Sequence, residues 1–377
     1  MSNRFAIRAE PKSSELLRHR IAAGDVPSAV YAVGQRGRIV FADALGDAVR
    51  EPQQIPATLD TIYDVASLTK PLVTGLLCAH LVERGGLTLD SPVAKYLREF
   101  NRPDKNRITV RDLVTHTSGL PAWRPLYILT GGDPETTVSA IAGVPLEQPP
   151  GRAVIYSDLG FIVLGFLLQG LARNALDQLA QREIFAALSL HQTFFNPSRA
   201  MQTGVAACES GNAYERDICE RDFAPIGIWP GRDGVIWGEV HDGNAHFLAG
   251  AAGHAGLFST AGEIFRLANQ FIGGLSQLLS ARTCELFRQN MTESLNEARS
   301  FAWQLAATKD STAGPSLPPD AFGHTGFTGT SCWIDPHRER VFILLTNRTH
   351  AHSLPFANIN QARREFHALA TAALDLA

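Results

Sequence analysis

A serine and a lysine three residues apart give the first indication of chemistry in this sequence. Ser67 and Lys70 stand in the stretch IYDVASLTKPLVTG, which begins at Ile62. Residues three apart share one face of a helix, so the hydroxyl and the amine can touch. A serine beside a base is a nucleophile for acyl transfer. The spacing is common, however, and a helix-capping serine next to a solvated lysine is an equally open interpretation.

The residues around this pair favour a catalytic arrangement. Pro71 is least costly in the first turn of a helix, so Ser67 should lie where a loop enters the helix. The positive end of the helix then faces any anion nearby. Lys70 sits inside an apolar run, where desolvation disfavours its charged form. We therefore expect that Lys70 can be a neutral amine able to take the proton of Ser67.

A second group of polar residues precedes a strongly apolar helix in the stretch GRAVIYSDLGFIVLG. Tyr156, Ser157 and Asp158 occupy the loop before that helix. Positive charge nearby would favour the phenolate of Tyr156, which makes this side chain a candidate general base. The alternative is that Ser157 or Asp158 only caps the helix, while Tyr156 packs in the core.

A third segment, FGHTGFTGTSCWIDP, places His324, Thr325 and Gly326 immediately before a predicted strand. Small residues at this point allow a substrate to lie along the strand edge. The N–H of Phe327 can then face a carbonyl oxygen of the substrate. The alternative is a glycine-rich entry to a strand with a histidine at the surface.

The elements that must position these segments follow from the hydrophobic periodicity. An amphipathic helix closed by Gly24 is followed by two alternating strands that form a hairpin. Helical periodicity dominates from Ser67, and the stretch from about residue 196 to 250 is a loop-rich wall of the kind used for binding. The stretch after residue 250 returns to a helix, then to the strands FAWQLAA, GTSCWIDP and RVFILLTN, and ends in a helix.

This order predicts an α+β fold. The strands at both ends of the chain form one antiparallel sheet flanked by the N- and C-terminal helices. Residues 1–66 and 251–377 make up this sheet domain. Residues 67–250 form an inserted, mainly helical domain that carries the loop-rich cleft wall.

Composition excludes several classes of partner. The chain has 377 residues, 45% hydrophobic and 19% charged, which is ordinary for a soluble enzyme. A formal net charge of -3 offers no footprint for nucleic acid or anionic lipid. The N-terminal stretch lacks an apolar signal region, and no window reaches the length of a membrane span. We expect a cytoplasmic protein without nucleic-acid or membrane partners, of unknown oligomeric state.

The sequence indicates neither a disulfide framework nor a metal site. The five cysteines are scattered without a CxxC pair, which is typical of free thiols, although Cys208 and Cys219 could pair. His241, Asp242, His246 and His254 are residue types that could bind a metal. Their spacing matches no standard ligand motif, so no metal is predicted. His254 is better interpreted as a residue that lines the cleft, and His116 as a structural turn residue.

Taken together, the three segments resemble the serine beta-lactamase and penicillin-binding superfamily. The resemblance is strongest to its class C-like branch, which includes cytoplasmic esterases and D-amino-acid-specific peptidases. Ser67 and Lys70 match the S-x-x-K motif, Tyr156 to Asp158 match Y-x-N, and His324 to Gly326 match K/H-T/x-G. The stretches LVTHTSGLP, AGHAGLFSTAGEI and LLTNR are also family-like, and the resemblance spans roughly residues 61 to 348.

The resemblance implies roles for individual residues. Ser67 would be the acyl nucleophile, Lys70 and Tyr156 a shared general base, and the N–H groups of Ser67 and Phe327 an oxyanion hole. No metal and no organic cofactor would be needed. The residues that would contact the substrate are Asp158, His254, His324, Thr325, Gly326, Asn347 and Arg348.

Two positions depart from the family pattern. Asp158 replaces an asparagine and, when ionised, only accepts hydrogen bonds. His324 replaces a lysine, so a permanent positive charge becomes one that is largely absent above neutral pH. Penicillins and D-Ala-D-Ala peptides carry a carboxylate that both changes disfavour. We therefore expect a neutral ester or amide substrate, although Arg348 could restore the cation.

Three functions remain open from the sequence. The leading one is a serine hydrolase that forms an acyl-enzyme with a small ester or amide. A D-Ala-D-Ala carboxypeptidase or beta-lactamase, acting on a peptide or a penicillin, is the nearest alternative. A catalytically silent binding protein on the same fold is the third, and the intact set of Ser67, Lys70 and Tyr156 argues against it.

Overall fold

The structure is a computed structural model and describes residues 8–223 and 231–377. The strands are β1 Ser28–Gln35, β2 Arg38–Val49, β3 Ile55–Pro56, β4 Tyr63–Asp64, β5 Phe194–Phe195, β6 Leu257–Ser259, β7 Gln304–Leu305, β8 Phe322–Thr325, β9 Ser331–Asp335 and β10 Arg340–Thr346. The α-helices are α1 Pro11–Ala22, α2 Leu76–Glu83, α3 Val110–Val114, α4 Leu126–Leu129, α5 Thr137–Gly143, α6 Asp158–Ala172, α7 Leu176–Ala180, α8 Ala213–Asp222, α9 Gly243–Phe247, α10 Ala261–Ala268, α11 Ala281–Cys284 and α12 Asn360–Asp375.

A large antiparallel sheet organises the fold, with the strand order β3-β2-β1-β10-β9-β8-β7. Strand β1 pairs with β10, so that Ala29 lies opposite Thr346, and the sheet joins the two ends of the chain. Successive side chains of a strand point to opposite faces. Tyr31 accordingly packs with Phe366 of α12, whereas Val30 faces the main core. The predicted α+β fold with terminal helices on the sheet is confirmed.

The helical part of the chain is built around α6. Ser157 caps this helix by accepting a hydrogen bond from the N–H of Gly160, and most of the side chains that follow are buried. No single helix in the described part is long and apolar enough to cross a membrane, although the bent pair Asp158–Ala172 and Leu176–Phe185 passes by length and composition.

A second, three-stranded sheet has the order β4-β6-β5 and holds the chain just before Ser67. Tyr63 pairs with Ser259 and Asp64 with Phe258. The sequence did not predict this sheet, because its strands are only two or three residues long. Short strands give too few alternating positions to be recognised.

Other sequence predictions concern the residues around β8, the loop-rich wall, the cysteines and the domain division. The strand expected after His324, Thr325 and Gly326 is β9, but His324 and Thr325 themselves belong to β8, a strand that the sequence did not predict. The predicted loop-rich wall contains helices α8 and α9, and residues 224–230 of it lie outside the described part. All five cysteines are buried and free, as predicted. The proposed domain division stays a prediction.

Candidate active site

Ser67 is held by a short, constrained segment at the start of a helix. It belongs to a 3-10 turn, Ala66–Leu68, which leads into a π-helical turn, Lys70–Gly75, with Pro71 in its first turn. Ala66 has a φ of 48°, a left-handed conformation that costs energy for a residue other than glycine. The carboxylate of Asp64 accepts the N–H of Ala66 at 2.8 Å and stabilises this geometry.

Lys70 is the centre of the site. Its Nζ donates to Oγ of Ser67 at 2.9 Å and to the carbonyl oxygen of His254 at 3.1 Å. The same atom lies 2.6 Å from Oδ1 of Asp158, and the lysine side chain is fully buried. Burial lowers the pKa of Lys70, but the charges and hydrogen bonds of Asp158 and Tyr156 together outweigh it and raise the pKa. The expectation of a neutral amine is therefore wrong for the free protein, because Asp158 compensates the desolvation.

Tyr156 reaches both residues of this pair. Its side chain hydrogen bonds with Ser67 and Lys70, and Nζ of Lys70 lies 5.0 Å from the centre of its ring. Burial raises the pKa of the phenol, and the positive charge of Lys70 does not offset that effect. The phenol therefore keeps its proton in the free protein, where the sequence suggested a phenolate. Both earlier interpretations of this segment hold in part, since Ser157 caps α6 while Tyr156 faces Ser67.

His116 supports the loop that carries Tyr156. Its Nδ1 accepts the N–H of Ser157 at 2.9 Å, and its ring lies 4.6 Å from that of Tyr156. Burial, followed by the charges of Arg299 and Lys70, lowers the pKa of His116 well below its usual value. His116 is therefore a neutral, buried ring that holds the backbone of Ser157. This agrees with its interpretation from the sequence as a structural turn residue.

A cavity of about 620 Å³ opens above Ser67 and Tyr156. His324, Thr325, Gly326 and Phe327 form one of its walls. The N–H of Phe327 has no acceptor among the described residues, so it is available to a ligand. The three segments singled out in the sequence thus converge on one pocket.

His324 carries no charge in this wall at neutral pH. Its Nδ1 contacts the carbonyl oxygen of Thr325 at 2.8 Å. A carbonyl oxygen only accepts, so Nδ1 carries the hydrogen and Nε2 is left as an acceptor. Burial, then the charges of Arg299 and Lys70, lowers the pKa of His324 well below its usual value. The histidine therefore does not replace the cation of a lysine.

Arg299 supplies a cation that the sequence did not reveal. It lines the cavity, is 5% exposed, and its guanidinium lies 5.4 Å from the ring centre of Tyr156. One nitrogen, Nη2, pairs with Glu297 at 2.6 Å. Nε and Nη1 are buried and have no hydrogen-bond partner in the described part of the chain. No motif surrounds this arginine, so its position beside Tyr156 could be learned only from the fold.

Two of the predicted substrate-binding residues lie outside the cavity. The side-chain amide of Asn347 donates to the carbonyl oxygens of Ala48 and Ala207 and accepts from Ser28, so it ties strands together. His254 is buried, its Nε2 contacts Asp242 at 2.8 Å, and it reaches the site only through the carbonyl oxygen that accepts from Lys70. Neither side chain lines the cavity, and direct substrate contact by Asn347 and His254 stays a prediction.

The remaining predicted contacts line the cavity. Asp158, Thr325, Gly326 and Arg348 all face it, although Nε and Nη1 of Arg348 donate to the carbonyl oxygens of Phe327 and Ala357. Within the described ranges, no group of three or more histidine, cysteine, aspartate or glutamate side chains could hold a metal ion.

The Asp158→Asn variant tests the electrostatics of this site. The charge of Asp158 raises the pKa of both Lys70 and Tyr156. If these residues form the predicted general base, one of them would have to lose a proton before accepting that of Ser67. The amide removes this effect, so we expect the rising limb of kcat/KM against pH to move to lower pH. Ester hydrolysis measured across pH checks this, with Asp177→Asn, at a partly exposed position outside the cavity, as the control. An unchanged limb would contradict the argument.

The beta-lactamase family profile matches residues 14–365 of this sequence. The chain belongs to the beta-lactamase family. Members of this family are serine hydrolases, as the predicted nucleophile implies. The family also accounts for the large antiparallel sheet, which was predicted independently from the order of the helices and strands.

Individual relatives of this beta-lactamase-family chain carry different names. An Escherichia coli K12 protein named "Putative D-alanyl-D-alanine carboxypeptidase" is 32% identical over an alignment of 352 residues that covers 86% of this chain and 79% of that protein. The structure of a beta-lactamase from Sulfitobacter sp. EE-36 has a TM-score of 0.73 and 23% identity, with 98% of each chain covered. The hydrolase EstCE1, with promiscuous acyltransferase activity, has a TM-score of 0.72 and 22% identity, covering 94% of this chain and 98% of its own.

Proposed function

We propose that this chain is a serine hydrolase that cleaves a small ester or amide through an acyl-enzyme on Ser67. The observation that carries the proposal is the contact of Oγ of Ser67 with Nζ of Lys70 at 2.9 Å, completed by the hydrogen bonds of Tyr156 to both residues. A nucleophile in contact with a paired base, facing an open cavity, is the geometry that acyl transfer requires.

The reaction begins when the Lys70–Tyr156 pair has lost one proton. Oγ of Ser67 then attacks the carbonyl carbon, and its proton passes to this pair. The N–H groups of Ser67 and Phe327 receive the negative charge that develops on the carbonyl oxygen, and removal of one such donor typically costs about 3 kcal/mol. The pair returns the proton to the leaving alcohol or amine, and an acyl ester remains on Ser67.

Hydrolysis of the ester repeats these steps with water. A water molecule attacks the acyl carbon and gives a proton to the Lys70–Tyr156 pair. Collapse of the second tetrahedral intermediate releases the acid and returns the proton to Oγ of Ser67. The raised pKa values of Lys70 and Tyr156 imply that this cycle becomes faster as the pH rises.

Trapping the intermediate tests the proposal. The protein is treated with a fluorophosphonate, or with a p-nitrophenyl ester followed by rapid acid quenching. We expect one covalent adduct by intact-mass measurement and its location on the peptide that contains Ser67. Modification of another residue, or no adduct together with no ester hydrolysis, would refute an acyl-enzyme mechanism at this serine.

A second candidate function is favoured by Arg299. Its Nε and Nη1 are buried beside the cavity and have no hydrogen-bond partner among the described residues, while Nη2 pairs with Glu297. A guanidinium nitrogen is a strong donor to a carboxylate. The preference for a neutral substrate followed from Asp158 and from the histidine that replaces a lysine at position 324, whereas Arg299 supplies a cation in the same pocket. The name of the E. coli relative, a D-alanyl-D-alanine carboxypeptidase, fits this candidate. We therefore propose peptides or amides with a free carboxylate as a second substrate class.

The Arg299→Gln variant distinguishes the two substrate classes. With a matched pair of substrates, one carrying a free carboxylate and one its methyl ester, we expect kcat/KM for the carboxylate to fall about 10- to 100-fold, as for loss of a charged hydrogen bond. The value of kcat/KM for the methyl ester should fall much less. The control is Arg288→Gln, which changes an arginine that precedes Arg299 in the chain and pairs with Glu285. Equal losses for both substrates would contradict carboxylate binding at Arg299.

A further inference from the structure

The turn between β8 and β9 packs directly against the nucleophile segment. A Cβ atom added to Gly326 would lie 2.5 Å from the carbonyl oxygen of Val65 and 3.3 Å from Cβ of Ala66. Any side chain at this position would push the two segments apart. The N–H of Phe327 is therefore carried next to Ser67 by a contact that only glycine permits.

Two threonines of this turn bind the nucleophile segment. Oγ1 of Thr328 donates to the carbonyl oxygen of Asp64 at 2.8 Å, and Oγ1 of Thr330 donates to that of Val65 at 2.9 Å. Both threonines are buried. The hydrogen bonds fix the distance between the two pieces of backbone that would form the oxyanion hole.

Two arginines bind the same turn from its other side. Nη2 of Arg363, on α12, donates to the carbonyl oxygens of Gly326 at 3.3 Å and Thr330 at 2.9 Å. Nε of Arg348 donates to the carbonyl oxygen of Phe327 at 2.8 Å. These bonds fix the orientation of the peptide groups on both sides of Phe327, whose N–H has no acceptor in the described ranges.

Arg363 is an unusual cation. It is 5% exposed, and burial followed by the charge of Arg348 lowers its pKa to about 9. No carboxylate pairs with it among the described residues; its partners are the two turn carbonyls and the side-chain oxygen of Asn360. A desolvated guanidinium needs compensation, and here carbonyl dipoles of the turn provide it.

We propose that Arg363 and Thr328 are positioning residues that hold the N–H of Phe327 in place for the oxyanion. The C-terminal helix thereby sets the geometry of the oxyanion hole through the β8–β9 turn. Neither side chain is assigned a contact with the reacting atoms. The proposal rests on the proposed acyl-enzyme function and assigns residues outside the three sequence motifs to it.

The experiment compares Arg363→Met, Arg363→Lys and Thr328→Val with Arg364→Gln, which changes a neighbouring, partly exposed arginine of α12 that does not line the cavity. Activity is measured with a neutral p-nitrophenyl ester. Affinity is measured with phenylboronic acid, whose boron bonds to Oγ of Ser67 and forms a tetrahedral adduct that resembles the transition state. We expect Arg363→Met and Thr328→Val to lose about 10- to 100-fold in kcat, the effect typical of a donor misplaced by about 1 Å.

A positioning role predicts a distinctive pattern. Boronate affinity should fall in step with kcat, while KM for the ester changes less than about two-fold, since the donors act mainly in the transition state. Arg363→Lys should lose less than Arg363→Met, and Arg364→Gln should match the unmodified protein. If Arg363→Met does not fold, the test of the positioning role rests on Thr328→Val, because valine keeps the side-chain volume of threonine.

Other outcomes overturn the proposal. Unchanged kcat and boronate affinity in the variants would show that the turn holds its position without these bonds. Because Arg363 also lines the cavity, a loss confined to substrates with a carboxylate would show that it binds substrate instead. Absence of any Ser67 adduct in the unmodified protein would refute the proposed function itself, which distinguishes that failure from the other two.

Discussion

The Ser67→Ala variant loses about 10⁴- to 10⁶-fold in kcat/KM for a p-nitrophenyl ester, the range typical of a removed serine nucleophile. Alanine cannot form the acyl ester, and only binding and the oxyanion donors remain. The loss is measured by initial rates, together with complete loss of fluorophosphonate labelling. The Lys70–Asp158 ion pair is untouched, so the melting temperature should change little.

Ser280→Ala is the control for Ser67→Ala, because Ser280 is also a serine at the start of a helix. Ser280 caps α11 through its contact with the N–H of Thr283 and lies in a segment separate from the three motifs. Ser280→Ala should lower stability by about 1 kcal/mol, as loss of a cap does, and leave labelling intact. If both alanine variants lost only stability, Ser67 would be a helix cap and the proposed chemistry would be wrong.

The Lys70→Met variant is expected to lose about 10²- to 10⁴-fold in kcat/KM, the range for removal of a general base. It also leaves the carboxylate of Asp158 without its cation, which lay 2.6 Å away. Breaking one partner of a buried pair destabilises a protein, so the melting temperature should fall as well. Rates and thermal unfolding are measured on the same preparation.

Two further variants separate chemistry from stability at Lys70. The double variant Lys70→Met/Asp158→Asn removes the orphaned charge, and we expect it to regain stability without regaining activity. Lys70→Arg keeps the positive charge, but a guanidinium does not release its proton near neutral pH, so it should stay inactive. Activity in Lys70→Arg at the level of the unmodified chain would exclude Lys70 as a proton acceptor.

The sequence predicted those parts of the site that depend on local spacing. Ser67 and Lys70 are one helical turn apart, and Tyr156 precedes an apolar helix with a capping serine. These patterns reflect short-range rules, so their elements and order could be predicted. The large sheet was predicted for the same reason, because strands such as β1 and β10 are long enough to recognise.

The protonation of the site could not be predicted in the same way. The pKa of Lys70 depends on the position of the Asp158 carboxylate in the folded protein. Lys70 and Asp158 are far apart in the sequence, so their contact does not follow from local spacing. Arg299 belongs to a stretch without a motif, and only packing brings it to the ring of Tyr156. Asn347 was assigned to substrate by resemblance, whereas its amide is used entirely within the fold.

The pairing of β1 with β10 has a consequence for how the molecule forms. It closes a loop of more than 300 residues, as the partners Ala29 and Thr346 show. Contacts so distant in sequence make folding slow and dependent on the complete chain. During synthesis, a nascent polypeptide that ends before β8 already contains Ser67, Lys70 and Tyr156 but lacks the turn of Phe327. The hairpin of β1 and β2 then has one unpaired edge, and hydrolytic competence arrives only with the last strands.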